Sequence, residues 1–182
     1  MLFDILENFS KIEEKPLETI NIAIMFNHFE DILVNQIIEI AKKVKTLKIV
    51  TKNINSFLNL EEILYMEFGI AVQITNNKKR ALSNSDVIIN YDFGEEKLNE
   101  YAFSNECKIL NIKEKANVKN KNFCGKVFNE YDISLKENIL EQIVEKDDFE
   151  KIILYESLIY RKDTYINIKK QFESDGLILR IV

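Results

Sequence analysis

The most constraining feature of the sequence is a change of hydrophobic period that recurs along its first two thirds. Ile20-Asn21-Ile22-Ala23-Ile24-Met25-Phe26 is an apolar run of strand length. A run with almost no polar alternation suits a strand buried on both faces, as in a parallel sheet. Residues 29–44 then shift to a period of 3.6, with Leu33, Ile37, Ile40, Ala41 and Val44 on one stripe. Asn27 is placed to cap that helix, and Glu30 and Asp31 fall in its first turn.

The same alternation continues. Strands are expected at Leu47–Thr51, Ile70–Ile74, Asp86–Asn90 and Lys108–Ile112, with another near Lys126–Phe128. Helices are expected over 56–68, with Gly69 at its C′ position, and over 77–83. Strands alternating with helices at this pitch imply βαβ units and a parallel sheet. An amphipathic helix over 2–12 precedes them, and Pro16 ends it. Residues 113–122 are polar and lysine-rich and are expected to form an exposed loop. Helices are expected over 147–161 and 164–174, and Asp175-Gly176 turns the chain into a last strand, Leu177–Ile181. The domain reading is a helical extension over 1–19, an α/β unit over 20–132, and C-terminal helices with a final strand over 133–182 that pack on the same unit.

Composition narrows the classes. The chain has 182 residues, is 46% hydrophobic and carries a net charge of −5. It has enough apolar residues for a core, no basic excess of the kind that nucleic-acid binders use, and no apolar run long enough to span a membrane. The N-terminal residues lack the pattern of a secretory signal. Cys107 and Cys124 have neither metal-knuckle nor redox spacing. Reduced thiols and a cytoplasmic location are therefore expected.

Three segments carry a resemblance. They are Asn21 to Val44, the strand ending in Thr51-Lys52-Asn53, and Ala81-Leu82-Ser83-Asn84-Ser85-Asp86-Val87-Ile88-Ile89-Asn90. Over about residues 20–112 the pattern resembles a Rossmann-type dinucleotide-binding domain. Its last segment is similar to the fourth-strand pattern of the shikimate dehydrogenase and glutamyl-tRNA reductase families. The resemblance implies a cofactor lying across the ends of the strands, near Asn27, Thr51, Lys52 and Asn90.

The residues depart from that family where pyrophosphate would bind. A dinucleotide site uses glycines after the first strand so that backbone can approach phosphate. Here the turn reads Phe26-Asn27-His28-Phe29-Glu30-Asp31, and none of the four glycines lies in it. Its two acids repel an anion. Lys52 stands where NAD-binding chains carry an acid, so any residual dinucleotide preference is for NADP. With about 19 residues before the first strand, a separate substrate domain of the shikimate dehydrogenase kind is not expected on this chain.

Several residues suggest chemistry. His28, the sole histidine, follows the first strand, on the edge where α/β sheets bind ligands. Asp92, Glu95 and Glu96 fall at the same edge but lack a calcium-loop spacing, and they read more simply as a turn and helix start. Glu156 falls on the apolar arc of the 148–161 helix, among Phe149, Ile152, Ile153, Ile159 and Tyr160. A carboxylate there needs a partner, either structural or as a site acid. No metal site is expected.

The leading expectation is a degenerate Rossmann-like binding or regulatory protein with no cofactor and no hydride chemistry, open to a small-molecule ligand. One alternative is an NADP-linked enzyme or sensor. Another is a structural subunit that pairs through the 148–161 helix, as in a homo-oligomer.

Overall fold

The computed structural model describes residues 2–28, 33–134, 170 and 178–181. In chain order it contains α1 (Leu2–Ile12), β1 (Asn21–Phe26), α2 (Val34–Lys43), β2 (Thr46–Thr51), α3 (Leu58–Phe68) and β3 (Gln73–Thr75). These are followed by β4 (Val87–Asn90), α4 (Glu95–Leu98), β5 (Lys108–Asn111), β6 (Lys126–Phe128), β7 (Tyr131–Ser134) and β8 (Ile178–Ile181). Six strands form one sheet in the order β3-β2-β1-β4-β5-β6, and every neighbouring pair is parallel. The fold is thus α/β with a mainly parallel sheet and Rossmann-like strand order. No helix among the described residues is long and apolar enough to cross a membrane.

Strand period two sorts the apolar residues onto two faces. Ile22, Ile24 and Phe26 of β1 join Leu47, Ile49, Val87, Ile89 and Leu110 on one face. The helices α1, α2 and α3 cover that face with Leu2, Ile5, Leu6 and Phe9, with Ile37 and Ile40, and with Leu60 and Leu64. Ala23, Met25, Val50, Ile88 and Ile109 form the other face, under Leu82, Phe93, Leu98 and Tyr101. A backbone N–H at the start of α1, that of Leu2, donates to the buried Gln36 side chain at 2.6 Å and ties α1 to α2.

Several boundaries differ from the sequence expectation. The described part of α2 starts at Val34 with Leu33 at its N-cap, so Asn27 does not cap it. A 3-10 turn over Ile54–Phe57 leads into α3. Gly69 closes α3 with φ 66°, as its C′ role requires, and Ile70 donates back to the Leu64 carbonyl at 2.9 Å. The third strand is shorter than expected, Gln73–Thr75. Residues 77–83 make one turn, not a helix. The Asn77 side chain accepts from the Lys79 and Arg80 N–H groups, and Leu82 is drawn into a bridge with Phe103. The expected last strand is present as β8. It pairs antiparallel with β7, outside the main sheet, and packs against α1. The expected helices over 147–161 and 164–174, with Glu156, lie outside the described residues, apart from helical Lys170.

The amino-terminal edge is held by Asp86. Its carboxylate accepts from the Asn21 backbone N–H at 2.8 Å, from the Asn21 amide at 2.9 Å and from Lys15 at 3.3 Å. The Asp86 N–H donates to the Asn21 carbonyl at 2.8 Å. The starts of β1 and β4 are thereby clamped together.

Burial alone would raise the Asp86 pKa, but the Asn21 N–H, Lys15 and the Asn21 amide outweigh it and hold the carboxyl below its ordinary value of 3.8. A carboxyl depressed in the folded state contributes stability above its unfolded pKa, and loses it as pH falls through the folded value. Asp86→Asn should therefore lower the melting temperature at neutral pH, and its gap to the wild type should narrow as pH falls below the ordinary carboxyl value of 3.8. Melting curves over an acid pH series measure this. A gap that stays constant with pH would refute the assignment.

Candidate functional site

The strand order reverses between β1 and β4, and in open α/β sheets the crevice at such a reversal is the usual place for a ligand. Two loops meet there, the one leaving β1 at Asn27 and the one leaving β4 at Tyr91. Asp92 joins them. Its carboxylate accepts the backbone N–H of Asn27 in a short hydrogen bond and that of His28 at 2.9 Å. The Asn27 side-chain amide donates to the Asp92 carbonyl at 3.2 Å. In dinucleotide-binding sheets, backbone N–H groups after the first strand face a phosphate. Here a carboxylate of the same chain takes the first two.

The same carboxylate lies 3.1 Å from His28 Nδ1. An ionised carboxylate only accepts, so Nδ1 carries the proton and Nε2 is the free ring nitrogen. The Asp92 side chain is 9% exposed and the His28 side chain 84% exposed. The arrangement is a shielded acid orienting an open imidazole. Beside it lies a crevice of about 290 Å³ lined by Asn27, His28, Asn53, Ser56 and Phe57. Phe57, its aromatic lining residue, packs on Phe26 with ring centroids 5.7 Å apart, and Phe26 packs on Tyr91 at 5.2 Å. The Lys113 ammonium sits 4.7 Å from the centre of the Tyr91 ring.

The other expected residues separate. Thr51 is fully buried, and its hydroxyl accepts the Asn53 N–H at 3.1 Å beneath the crevice. Lys52 is exposed at the carboxyl end of β2. The Lys78 ammonium, hydrogen-bonded to it, holds the Glu100 carboxyl below the usual range against a smaller desolvation.

Asn90 is 1% exposed. Its amide donates to the Phe93 carbonyl and to Asn111 Oδ1, both at 2.8 Å, and its own Oδ1 accepts the Phe93 N–H at 3.1 Å. Asn111 in turn donates to the Ala116 carbonyl and to Asn129 Oδ1, both at 2.8 Å. An asparagine thus closes each of β4, β5 and β6, and the three bond side chain to side chain across the sheet edge.

The structure therefore brings Asn27 and His28 together with Asp92, which the sequence placed at the same edge as a turn residue, and adds Asn53, Ser56 and Phe57, which the sequence did not single out as ligand contacts. Glu95 turns away from the crevice. The Asn117 N–H first, then Lys119, holds its carboxyl below the usual range. Among the described residues no group of three or more His, Cys, Asp or Glu side chains is arranged to hold a metal.

Comparison with models of known protein families and with curated proteins finds no match. No family model or curated relative thus supports the resemblance to shikimate dehydrogenase; what the structure bears out is the Rossmann-like α/β fold.

Two outcomes follow from this geometry. Asp92→Ala should cost about 1.5–3 kcal/mol in chemical denaturation, since it removes charge-assisted bonds to two N–H groups. Nitrogen-detected NMR on neutral His28 should find the Nδ1–H tautomer in the wild type and lose that preference in the variant. Asn90→Ala should cost about 2–3 kcal/mol because it orphans Asn111 Oδ1 and both Phe93 backbone groups. An Asn90 variant of wild-type stability would show that the ladder is dispensable.

Proposed function

We infer that the chain is a Rossmann-like binding or regulatory protein whose dinucleotide site is degenerate and which transfers no hydride. The observation that carries this reading is the Asp92 carboxylate on the Asn27 and His28 N–H groups. A pyrophosphate entering the crevice must displace that carboxylate or lie against it. Displacement forfeits two charge-assisted hydrogen bonds, and coexistence sets like charges together in a partly shielded place. The sequence over residues 26–31 also has no glycine of the kind that lets backbone approach a pyrophosphate. In this reading the crevice takes a small polar ligand. His28 Nε2, Asn53 and Ser56 supply its hydrogen bonds and Phe57 an apolar wall.

The NADP reading draws on Lys52, which sits at the carboxyl end of β2 where a 2′-phosphate would be met.

A thermal-shift titration with NAD, NADP and their reduced forms separates the two. A ligand that binds only the native state adds about 2.7 kcal/mol at a hundred times its dissociation constant. The melting temperature should not move with any of the four at millimolar concentration. A selective rise with NADP that Lys52→Glu abolishes would overturn the proposal in favour of the NADP-linked alternative.

A further inference from the structure

Whereas α1 exposes the single Ile12 at its end, α3 leaves a cluster of large apolar side chains in water. It buries Leu60 and Leu64, yet Leu58, Tyr65 and Met66 are 48%, 64% and 73% exposed. At 100° per residue these three share one arc, and Glu61 and Glu62 lie on the same arc. Phe68, at the end of the helix, is covered by the Lys42 ammonium 4.3 Å from its ring centre. The outer arc has no such cover. Ile70, Ala71 and Val72 lead into the edge strand β3 and form a facing wall. A groove of about 410 Å³ runs between them and Leu58 and Tyr65, with Glu61 and Glu62 also lining it.

Clustered exposed apolar groups of this kind mark interaction surfaces, whereas single ones do not. The charges decide the occupant. Among the described residues no lysine or arginine pairs with Glu61 or Glu62. A two-fold contact between copies of this chain would lay the patch on itself, carboxylates against carboxylates. A partner with an apolar stripe bordered by Lys or Arg fills the groove and neutralises the rim.

We propose that the outer face of α3, with the segment leading into β3, is a docking surface for a basic amphipathic segment of another protein. This is the helix-in-groove mode of recognition, with anchors at Leu58, Tyr65 and Met66. It is independent of the crevice at the carboxyl edge.

The probe is a short fluorescent amphipathic peptide of Leu and Lys, compared with its Leu and Glu counterpart. By anisotropy the Leu/Lys peptide should bind at least about tenfold more tightly. Its binding should shift the amide resonances of α3 in preference to those of α1. The double variant Glu61→Lys, Glu62→Lys should reverse the preference, and Met66→Lys should weaken binding with no loss of melting temperature, since all three positions lie at or near the surface. Equal binding of both peptides would overturn the proposal. So would a Leu/Lys affinity indifferent to the double variant, because net negative charge alone would then explain it. Light scattering that shows a dimer broken by Met66→Lys would assign the face to a second copy instead.

Discussion

A strand buried on both faces meets water only at its ends, and this one condition organises the molecule. All of β1 after Asn21 is buried. Its interior N–H and C=O groups are satisfied by β2 and β4, but those at its ends need partners of their own. Two carboxylates supply them, each 65 residues further along the chain. Asp86, just before β4, takes the N–H of Asn21; Asp92, just after β4, takes that of Asn27. The two central strands are thus pinned at both edges by acids flanking β4. The pairing also fixes register, because a one-residue slip would invert the faces and break both clamps.

This arrangement explains what the Ala81–Asn90 likeness measures. The aspartate and asparagine that frame the strand in that segment are Asp86 and Asn90. Asp86 clamps the amino edge, and Asn90 begins the asparagine ladder at the other edge. Both act on backbone or on other side chains of the same sheet. The segment is therefore a signal for how a fourth strand is seated beside the first. A fold can keep such a signal while its ligand site changes or closes.

The sheet was legible in the sequence because its signal is local. Ile20–Phe26 and Asp86–Asn90 are apolar runs of strand length, and the α2 stripe at Ile37, Ile40 and Ala41 repeats with helical period. Gly69 announced the end of α3. What was hidden is whatever depends on partners distant in sequence. Asn27 reads as a helix cap until Asp92 is known to lie against it. Asn90, Asn111 and Asn129 each end an apolar run, a repeated pattern visible in the letters, but only the strand order β4-β5-β6 makes them a ladder. Residues 77–83 have helical spacing, yet the Asn77 side chain and the Leu82 bridge to Phe103 outcompete it. The exposed face of α3 escaped notice for another reason: periodicity reports which residues share a face, not whether anything covers it.

The carboxyl edge and the outer face of α3 stand in opposite electrostatic conditions. At the edge, donors and acceptors are matched within the chain: Asp92 with two N–H groups, Asn90 with Phe93 and Asn111. A ligand arriving there must compete with bonds already made, so it gains only where the chain leaves something open, as at His28 Nε2. On α3 the Leu58, Tyr65 and Met66 side chains are largely exposed, and among the described residues no cation pairs with the Glu61 and Glu62 carboxylates. An arriving partner there displaces water alone. Binding free energy is a difference between made and broken contacts. By that difference the proposed macromolecular contact falls to α3, and the proposed ligand of the crevice is one small enough to leave the Asp92 clamp intact.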